Sequence, residues 1–509
     1  MIRVPGARRR PEPLEAAGPT AGASGSGADF AVLAGLGTRT LRLTRRHLLF
    51  LVLLVLAAVA RAYVTAAYST ALWFPDSGTY VDRAATLEPA VDRPWGYSAF
   101  LAVLDRLVVF RYVAVTQHLL GLIMMVLVYA LLQRRGVSRW ASLLAVVPLG
   151  FDAYLLNIEH FILAETLFML LLVLAVVVLL AEERPGALLV GTVGVLMGAL
   201  TVTRTVGTFL VAVVLVYLVI RVLLRTLRWT AAATFVVGVA VVLLPYAAWF
   251  HSHHGSFALT DYTGHFLYGR VATFVQCEEV DMPERLQPLC PTAPPEERPT
   301  GDNFVWMAHS PANATRDGVR VWSEDDLEEF STIAIKGQPW DYLHRIVSET
   351  THYLMPGRYS GPQDTCPLWW QFPMPTADPP QTCSSVLAPG PFGHRPALVD
   401  DLRAYQQVAY TPGPVLGICI VAGFGALFLH RRSWRDRLDP ALLAAVGLAL
   451  LLGPALTASF DYRFLLPTLA VLPPAAALAT RGLSLRVWRW RTRAPVEPEL
   501  RCEPGWTAS

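Results

Sequence analysis

The stretch "WFPDSGTYVDRAATLEPAVDRPWGY", residues 73–97, directly follows the first long apolar run of the chain and decides how the rest is read. It sets Asp76, Asp82, Arg83, Glu88, Asp92 and Arg93 at the first exit from that run. Ionisable groups next to hydrocarbon are costly unless paired or used, so such a cluster is a site hypothesis. Asp76, Tyr80 and Arg83 follow one another at i, i+4 and i+7, the spacing of one helix face.

The surroundings of this stretch are those of a membrane protein. Of 509 residues, 54% are hydrophobic, and the mean hydropathy is +0.42. Apolar runs recur that are long enough to cross a ~30 Å hydrocarbon layer as helices. We expect an all-α polytopic membrane protein with about ten spans, near 47–67, 112–132, 139–157, 162–180, 187–203, 206–223, 230–250, 413–430, 440–458 and 464–480. Arginine-rich short segments, "QRRGVSR" (133–139), "RVLLRTLRW" (221–229), "RRSWRDR" (431–437) and "RGLSLRVWRWRTR" (481–493), fall on one side with the basic N-terminus. By the positive-inside rule that side is the cytoplasm, and both termini lie there. Residues 1–46 read as a disordered basic cytoplasmic tail before an uncleaved anchor, and 481–509 as a second cytoplasmic tail.

Two regions face the other way. The first outer loop runs over 68–111, and its apolar part "YSAFLAVLDRLVVF" (97–110) reads as a helix lying on the outer surface. Residues 251–412 form a mixed extracytoplasmic domain with 20 acidic and 10 basic side chains. Within it, Ser323 and Asp326 have capping-box spacing, and Trp340, Leu343, Ile346 and Val347 share a helix face. Cys277, Cys290, Cys366 and Cys383 are confined to it, which favours two disulfides, most simply 277–290 and 366–383, with the other two pairings open. Cys419 and Cys502 read as reduced. Lys336 is the only lysine; the arginine bias reflects base composition, and no nucleic-acid partner is expected.

Further polar groups gather at the same outer face. Asp152, Glu159 and Glu165 flank the second outer loop in "FDAYLLNIEHFILAETLF", Arg204 stands in "TVTRTVG", and Asp461 and Arg463 open the last span in "SFDYRFLLP". Each has a plainer reading: Asp76 as an N-cap, Arg93 as a headgroup anchor, Glu165 as the cap of its span, Arg204 as an interface residue, Asp461–Arg463 as a local ion pair. "FHSHHG" (250–255) offers His251, His253 and His254 for a divalent ion, but no carboxylate is near them in sequence, and an interfacial turn is the simpler account. "CPLWWQF" fits packing of a small lobe better than ligand stacking. Gly-rich phosphate loops, Cys-x-x-Cys pairs and a nucleotide-binding domain are missing, which argues against a nucleotide-sugar donor and against an ATP-driven transporter.

Four segments together resemble the GT-C membrane glycosyltransferases, which take sugars from polyprenyl phosphates and include protein O-mannosyltransferases and lipid A aminoarabinose transferases. They are "FPDSGTYVDRAA … DRPWGYSAFLAVL", "LAETLF", "LTVTRTVG" and "DYRFLLPTLAVL", covering roughly 47–250 and 459–480. The chain departs from the family pattern at Trp95, where a second proline is usual, and after Arg204, where a proline is lacking. The resemblance implies a GT-C-like catalytic module over 47–250, followed by the 251–412 domain and three C-terminal spans over 413–480. It makes Asp76 the base and Arg93 a phosphate contact, with Arg204 and Arg463 as further phosphate candidates. Glu165 becomes the second-loop acid, with Asp152 and Glu159 as competitors, and Tyr80 lines the sugar pocket. The implied reaction is inverting transfer of a monosaccharide from a polyprenyl phosphate to an envelope glycan, lipid or protein, with no cofactor and with a metal not favoured. The rivals are a transporter or flippase for lipid-linked sugars and an inactive lipid-phosphate-binding scaffold.

Overall fold

A computed structural model describes residues 26–107, 112–358, 367–374, 393–429 and 433–491. The chain divides into two units, Met1–Val52 and Leu53–Ser509. Helix α1, Ser26–Ala67, begins inside the segment expected to be disordered. Its Ala- and Leu-rich sequence favours helix over an open tail. Two short helices follow, α2 (Pro75–Thr86) and α3 (Gly96–Leu107), and then α4 (Val113–Arg134), α5 (Arg139–Phe151) and α6 (Ala153–Ile158). Next come α7 (Glu165–Ala181), α8 (Ala187–Thr201), α9 (Gly207–Leu223) and α10 (Trp229–His254).

Among the described residues, five helices are long and apolar enough to cross a membrane, or six if one bent pair is a single span, so the expected count of ten is corrected. The five are His47–Ala67, Val113–Arg134, Trp229–His254, Trp434–Thr457 and Tyr462–Arg481. The expected spans at 139–157, 162–180, 187–203 and 206–223 exist as apolar helices of 10–17 residues. Polar turns cut them short. Asp152 ends α5 and caps α6, while Thr203 and Arg204 lie in the turn between α8 and α9. At 1.5 Å per residue, a helix of 15 residues reaches only about 22 Å.

The segment after α10 contributes α11 (Thr263–Ala272), α12 (Gly301–Trp306), α13 (Glu324–Gly337) and α14 (Pro339–His352), plus a hairpin of β1 (Thr315–Arg316) and β2 (Val319–Arg320). Tyr268, Val271, Leu286, Leu289, Leu327 and Phe330 belong to its apolar core, beside the disulfide Cys277–Cys290. The expected partner disulfide 366–383 lies outside the described residues. Ser323 caps α13 as its spacing predicts, with Ser323 Oγ accepting from the Asp326 amide at 3.2 Å and Asp326 Oδ2 accepting from the Ser323 amide at 3.1 Å. The apolar face expected on α14 is split: Trp340, Leu343 and Val347 are exposed and Ile346 turns inward. Trp340 is 77% exposed, while Ile346 and Glu349 are buried. The inward face is shared by Glu349, which receives both guanidinium nitrogens of the buried Arg270 at 2.6 Å.

The C-terminal part holds α15 (Pro396–Val408), α16 (Gly413–Leu429), α17 (Trp434–Thr457), a 3-10 segment Tyr462–Ala470, and α18 (Leu472–Arg491). Helices α15 and α16 meet at a 47° bend. Near the start of α17, Asp439 pairs with Arg135 at 2.6 Å and accepts from Tyr217 Oη at 2.7 Å. A buried carboxylate needs such partners, and these pin α17 to α9 and to the end of α4.

Candidate active site

Local chemistry fixes where Asp76 stands. Pro75 opens α2 with its φ already helical, Asp76 occupies the first turn, and the Phe74 amide donates to Ser77 Oγ at 2.9 Å. Ser77 Oγ in turn donates to the Ile162 carbonyl at 2.8 Å. Leu72 N donates to His160 O at 2.9 Å and Ile162 N to Leu72 O at 3.0 Å. This short bridge straps residues 72–77 to residues 160–162 and brings α2 beside Glu165.

Gly96 supplies the next constraint. Its amide donates to the Val202 carbonyl at 2.7 Å, and a Cβ there would lie 2.5 Å from that oxygen. Only glycine allows the approach, and it holds the Arg93 loop against the turn that carries Arg204.

Asp76 lies between two guanidiniums. Its Oδ1 is 3.0 Å from Arg93 Nη1 and its Oδ2 is 3.1 Å from Arg463 Nη1. Arg93 also contacts Asp92 Oδ2 at 2.8 Å, and its guanidinium lies 5.4 Å from the Tyr80 ring centre. Arg463 pairs with Asp461 at 2.9 Å and reaches Glu165 Oε1 at 3.8 Å. Glu165 is also ion-paired to Arg204. Arg463 is framed by Phe74, Trp370 and Phe464, with its guanidinium 5.0, 5.3 and 5.2 Å from their ring centres. Trp370 is fully buried and donates its indole N–H to Asp461 Oδ1 at 2.6 Å.

The centre is partly open. Asp76 is 21% exposed, while Glu165 and Asp461 are nearly sealed. Burial alone would raise the Asp76 carboxyl, but Arg93 and Arg463 outweigh it and hold the group well below the usual carboxylate range. Burial dominates at Asp461 and pushes it up to about 6 against the pull of Arg463. Burial also lifts the Tyr80 phenol to about 12.

Of the site residues expected from sequence, the structure thus gathers Asp76, Tyr80, Arg93, Glu165, Arg204 and Arg463 at one place. Asp152 stands apart from them. Its Oδ1 accepts from the Tyr154 and Leu155 amides at 3.0 and 3.2 Å, and its Oδ2 from the Thr411 amide at 2.7 Å. It caps α6 and ties down the turn before α16. Glu159 is also elsewhere, buried against Arg61 at 2.7 Å and His118 at 2.9 Å. Arg83, although in helical register with Asp76 and Tyr80, pairs with Asp82 and Glu88. His254 contacts the Pro89 carbonyl at 2.9 Å, and among the described residues no group of three or more His, Cys, Asp or Glu side chains is placed to hold a metal. Phe74 and Trp370 frame Arg463 without any sequence pattern that marks them; Trp370 stands in the "LWWQF" run that composition assigns to packing.

No family model matches the sequence, and no curated protein matches it. A crystal structure of ArnT from Cupriavidus metallidurans bound to undecaprenyl phosphate aligns over 86% of this chain and 78% of that one, at 12% identity and a TM-score of 0.33. A likeness of that size carries no residue correspondence.

Proposed function

We propose that the chain is a GT-C-type glycosyltransferase that moves a monosaccharide from a polyprenyl-phosphate donor to an envelope glycan, lipid or protein. In this reading it is a multi-pass protein of the cell membrane with both termini cytoplasmic, and the Asp76 cluster and residues 251–412 lie on the outer face. The observation that carries it is the Asp76 carboxylate held between Arg93 and Arg463. Asp76 takes the proton of the acceptor hydroxyl as its oxygen attacks the anomeric carbon. The bond from that carbon to the phosphate oxygen breaks, and the electron pair leaves with the phosphate. Arg93 and Arg463 are placed to receive that charge, since a planar guanidinium fork suits a phosphate. Engaging the phosphate draws both arginines away from Asp76, so the carboxylate becomes a better base as the donor settles. Tyr80 forms a wall of the sugar site, and Glu165, anchored by Arg204, orients hydroxyls. No metal or cofactor is part of this proposal.

The carrier reading calls for ionisable groups near mid-membrane. The charges of the candidate site instead lie on α2, in the loop after it and at the start of the last apolar segment, where Asp76, Arg93 and Arg463 meet, which favours the enzyme. The test is detection of free polyprenyl phosphate by mass spectrometry after incubation with a panel of polyprenyl-phosphate sugars and envelope extract. Release from one donor, falling ~10²-fold or more in Asp76→Asn, supports both the reaction and the base. Release unaffected by that change moves the base elsewhere, and no release from any donor by intact protein sinks the enzyme reading.

A further inference from the structure

A second charged site lies at the opposite end of α8 from Arg204. There a cavity of about 800 Å³ opens between the start of α8, the end of α9 and the start of α10, lined by Arg184, Arg225 and Arg228 together with Gly186, Thr226 and Trp229. All three arginine side chains are exposed, and among the described residues none makes an ion pair or side-chain hydrogen bond. This sets them apart from the arginines at the Asp76 cluster and from Arg135, which are all neutralised by carboxylates. Three guanidiniums without an ion pair around one cavity, with Glu182 and Glu183 just before Arg184 outside its lining, make it an attractor for a phosphate-bearing group.

Helix packing adds to this. Helices α8 and α10 run parallel from the cavity, pressed together at glycines. A Cβ on Gly194 would lie 2.2 Å from the Phe235 carbonyl oxygen, and one on Gly238 would lie 2.3 Å from that of Gly191. Thr234 Oγ1 donates to the Ala187 carbonyl at 2.8 Å and fixes the register. Neither Gly186 nor Arg228, the residues preceding the two helices, offers a side-chain cap. Two sets of unfilled amide donors and two positive dipole ends therefore open beside the arginines. Trp229, which lines the cavity, is 71% exposed, and Leu188 and Leu223, next in sequence to the lining residues Ala187 and Val222, are 84% and 76% exposed, so apolar surface borders the cavity as a rim.

From the cavity, the unpaired arginines and that rim, we infer that this pocket binds the phosphate headgroup of an anionic membrane phospholipid. The acyl chains lie against Leu188, Leu223 and Trp229. A freely dissolved anion would gain nothing from the apolar rim, which is why a lipid is the ligand of choice. The site is independent of the glycosyl-transfer reading and stands or falls separately.

The test uses the full-length protein reconstituted with either phosphatidylglycerol or phosphatidylcholine, with retained lipid counted by native mass spectrometry. Wild type should retain phosphatidylglycerol with at least ~ten-fold preference. The triple variant R184Q/R225Q/R228Q should lose it. A control, R134Q/R139Q, removes exposed arginines from the same end of the bundle but away from the cavity and should keep it. Equal loss in the control would reduce the effect to diffuse surface charge and overturn the site. Displacement of the lipid by inorganic phosphate at comparable concentration would overturn the lipid assignment. Should the triple variant fail to fold, the single variants carry the test, and retention unchanged in all three overturns the proposal.

Discussion

Arg463 reaches Asp76 across 387 residues of chain, with Nη1 and Oδ2 3.1 Å apart. The contact closes the segment after α17 onto α2. It also means that the proposed base and one proposed phosphate ligand hold each other in place. Arg463 is further braced by Asp461, which is itself held by the Trp370 indole and the Arg463 amide. That arrangement predicts how the cluster responds to single changes.

Replacing Arg463 with lysine keeps a positive charge but loses the fork that serves Asp76 and Asp461 together. Arg463→Lys should lower turnover by roughly 10–100-fold, and Arg463→Gln by more, because an interaction realised at the transition state is lost. Steady-state kinetics with the donor found above checks this. Equal activity of wild type and Arg463→Gln would remove Arg463 from the reaction.

Asp461 should give the protein a distinctive pH response. Its carboxyl is raised from 3.8 to about 6, so between those values the folded state holds a proton that the unfolded state has released. Stability from this group is therefore present at low pH and lost as pH rises through the window, because the folded state binds more protons. Asp76 has the opposite sign: its contribution is complete above the ordinary carboxylate value and is lost as pH falls below it. Thermal melts of wild type and Asp461→Asn should thus diverge in the variant's favour between about pH 4 and about pH 6. Parallel melts across that range would show that Asp461 titrates normally.

Glu165 is buried and ion-paired to Arg204, with Arg463 further off at 3.8 Å. Arg204→Ala leaves much of that charge uncompensated and should cost about 3 kcal/mol. Adding Glu165→Gln should recover most of the loss, since it removes the stranded charge. Melting temperatures of the two single variants and the double variant test this, and simple additivity would mean that the pair is not coupled.

Gly96→Ala places a methyl group against the Val202 carbonyl, 2.5 Å away before any shift. The backbone must give, at a cost of about 1–3 kcal/mol, and Arg93 moves with it. Donor turnover should fall while the disulfide-held outer lobe keeps its proteolytic resistance. Unchanged turnover would show that the Arg93 loop is held by something other than this contact.

Cys277 and Cys290 close a short loop, 13 residues apart. Reduction, or Cys277→Ser with Cys290→Ser, should destabilise the outer lobe by about 3 kcal/mol. Limited proteolysis of that lobe reads the effect, and equal resistance with and without reductant would deny the bridge a stabilising role.

The sequence by itself pointed to a membrane protein and to the residues of a candidate site. Runs of apolar residues dictate membrane helices wherever they occur, because backbone groups in hydrocarbon can be satisfied only within the helix. Acids and arginines beside those runs mark positions where charge must be paired or used, and Asp76, Arg93, Glu165, Arg204 and Arg463 were legible for that reason, while Tyr80 was legible from its helical spacing to Asp76 and from the family resemblance. Capping chemistry at Ser323 and the 277–290 pairing are local and were legible too.

Tertiary structure alone decided which charges meet. Asp152 and Glu159 look no different from Glu165 in sequence, yet the Tyr154, Leu155 and Thr411 amides claim the first, and Arg61 with His118 claims the second. Arg83 has the right helical spacing for the site and turns to Glu88. Helix periodicity places a side chain on a face but does not say what that face meets. The same limit applies to α14, whose apolar stripe is split between exposed and buried positions, and to the four apolar helices cut short by polar turns. Whether an ionisable side chain serves a cap, a buried pair or a reaction depends on which partner lies within a few ångströms. For Asp76 that partner comes from 387 residues away.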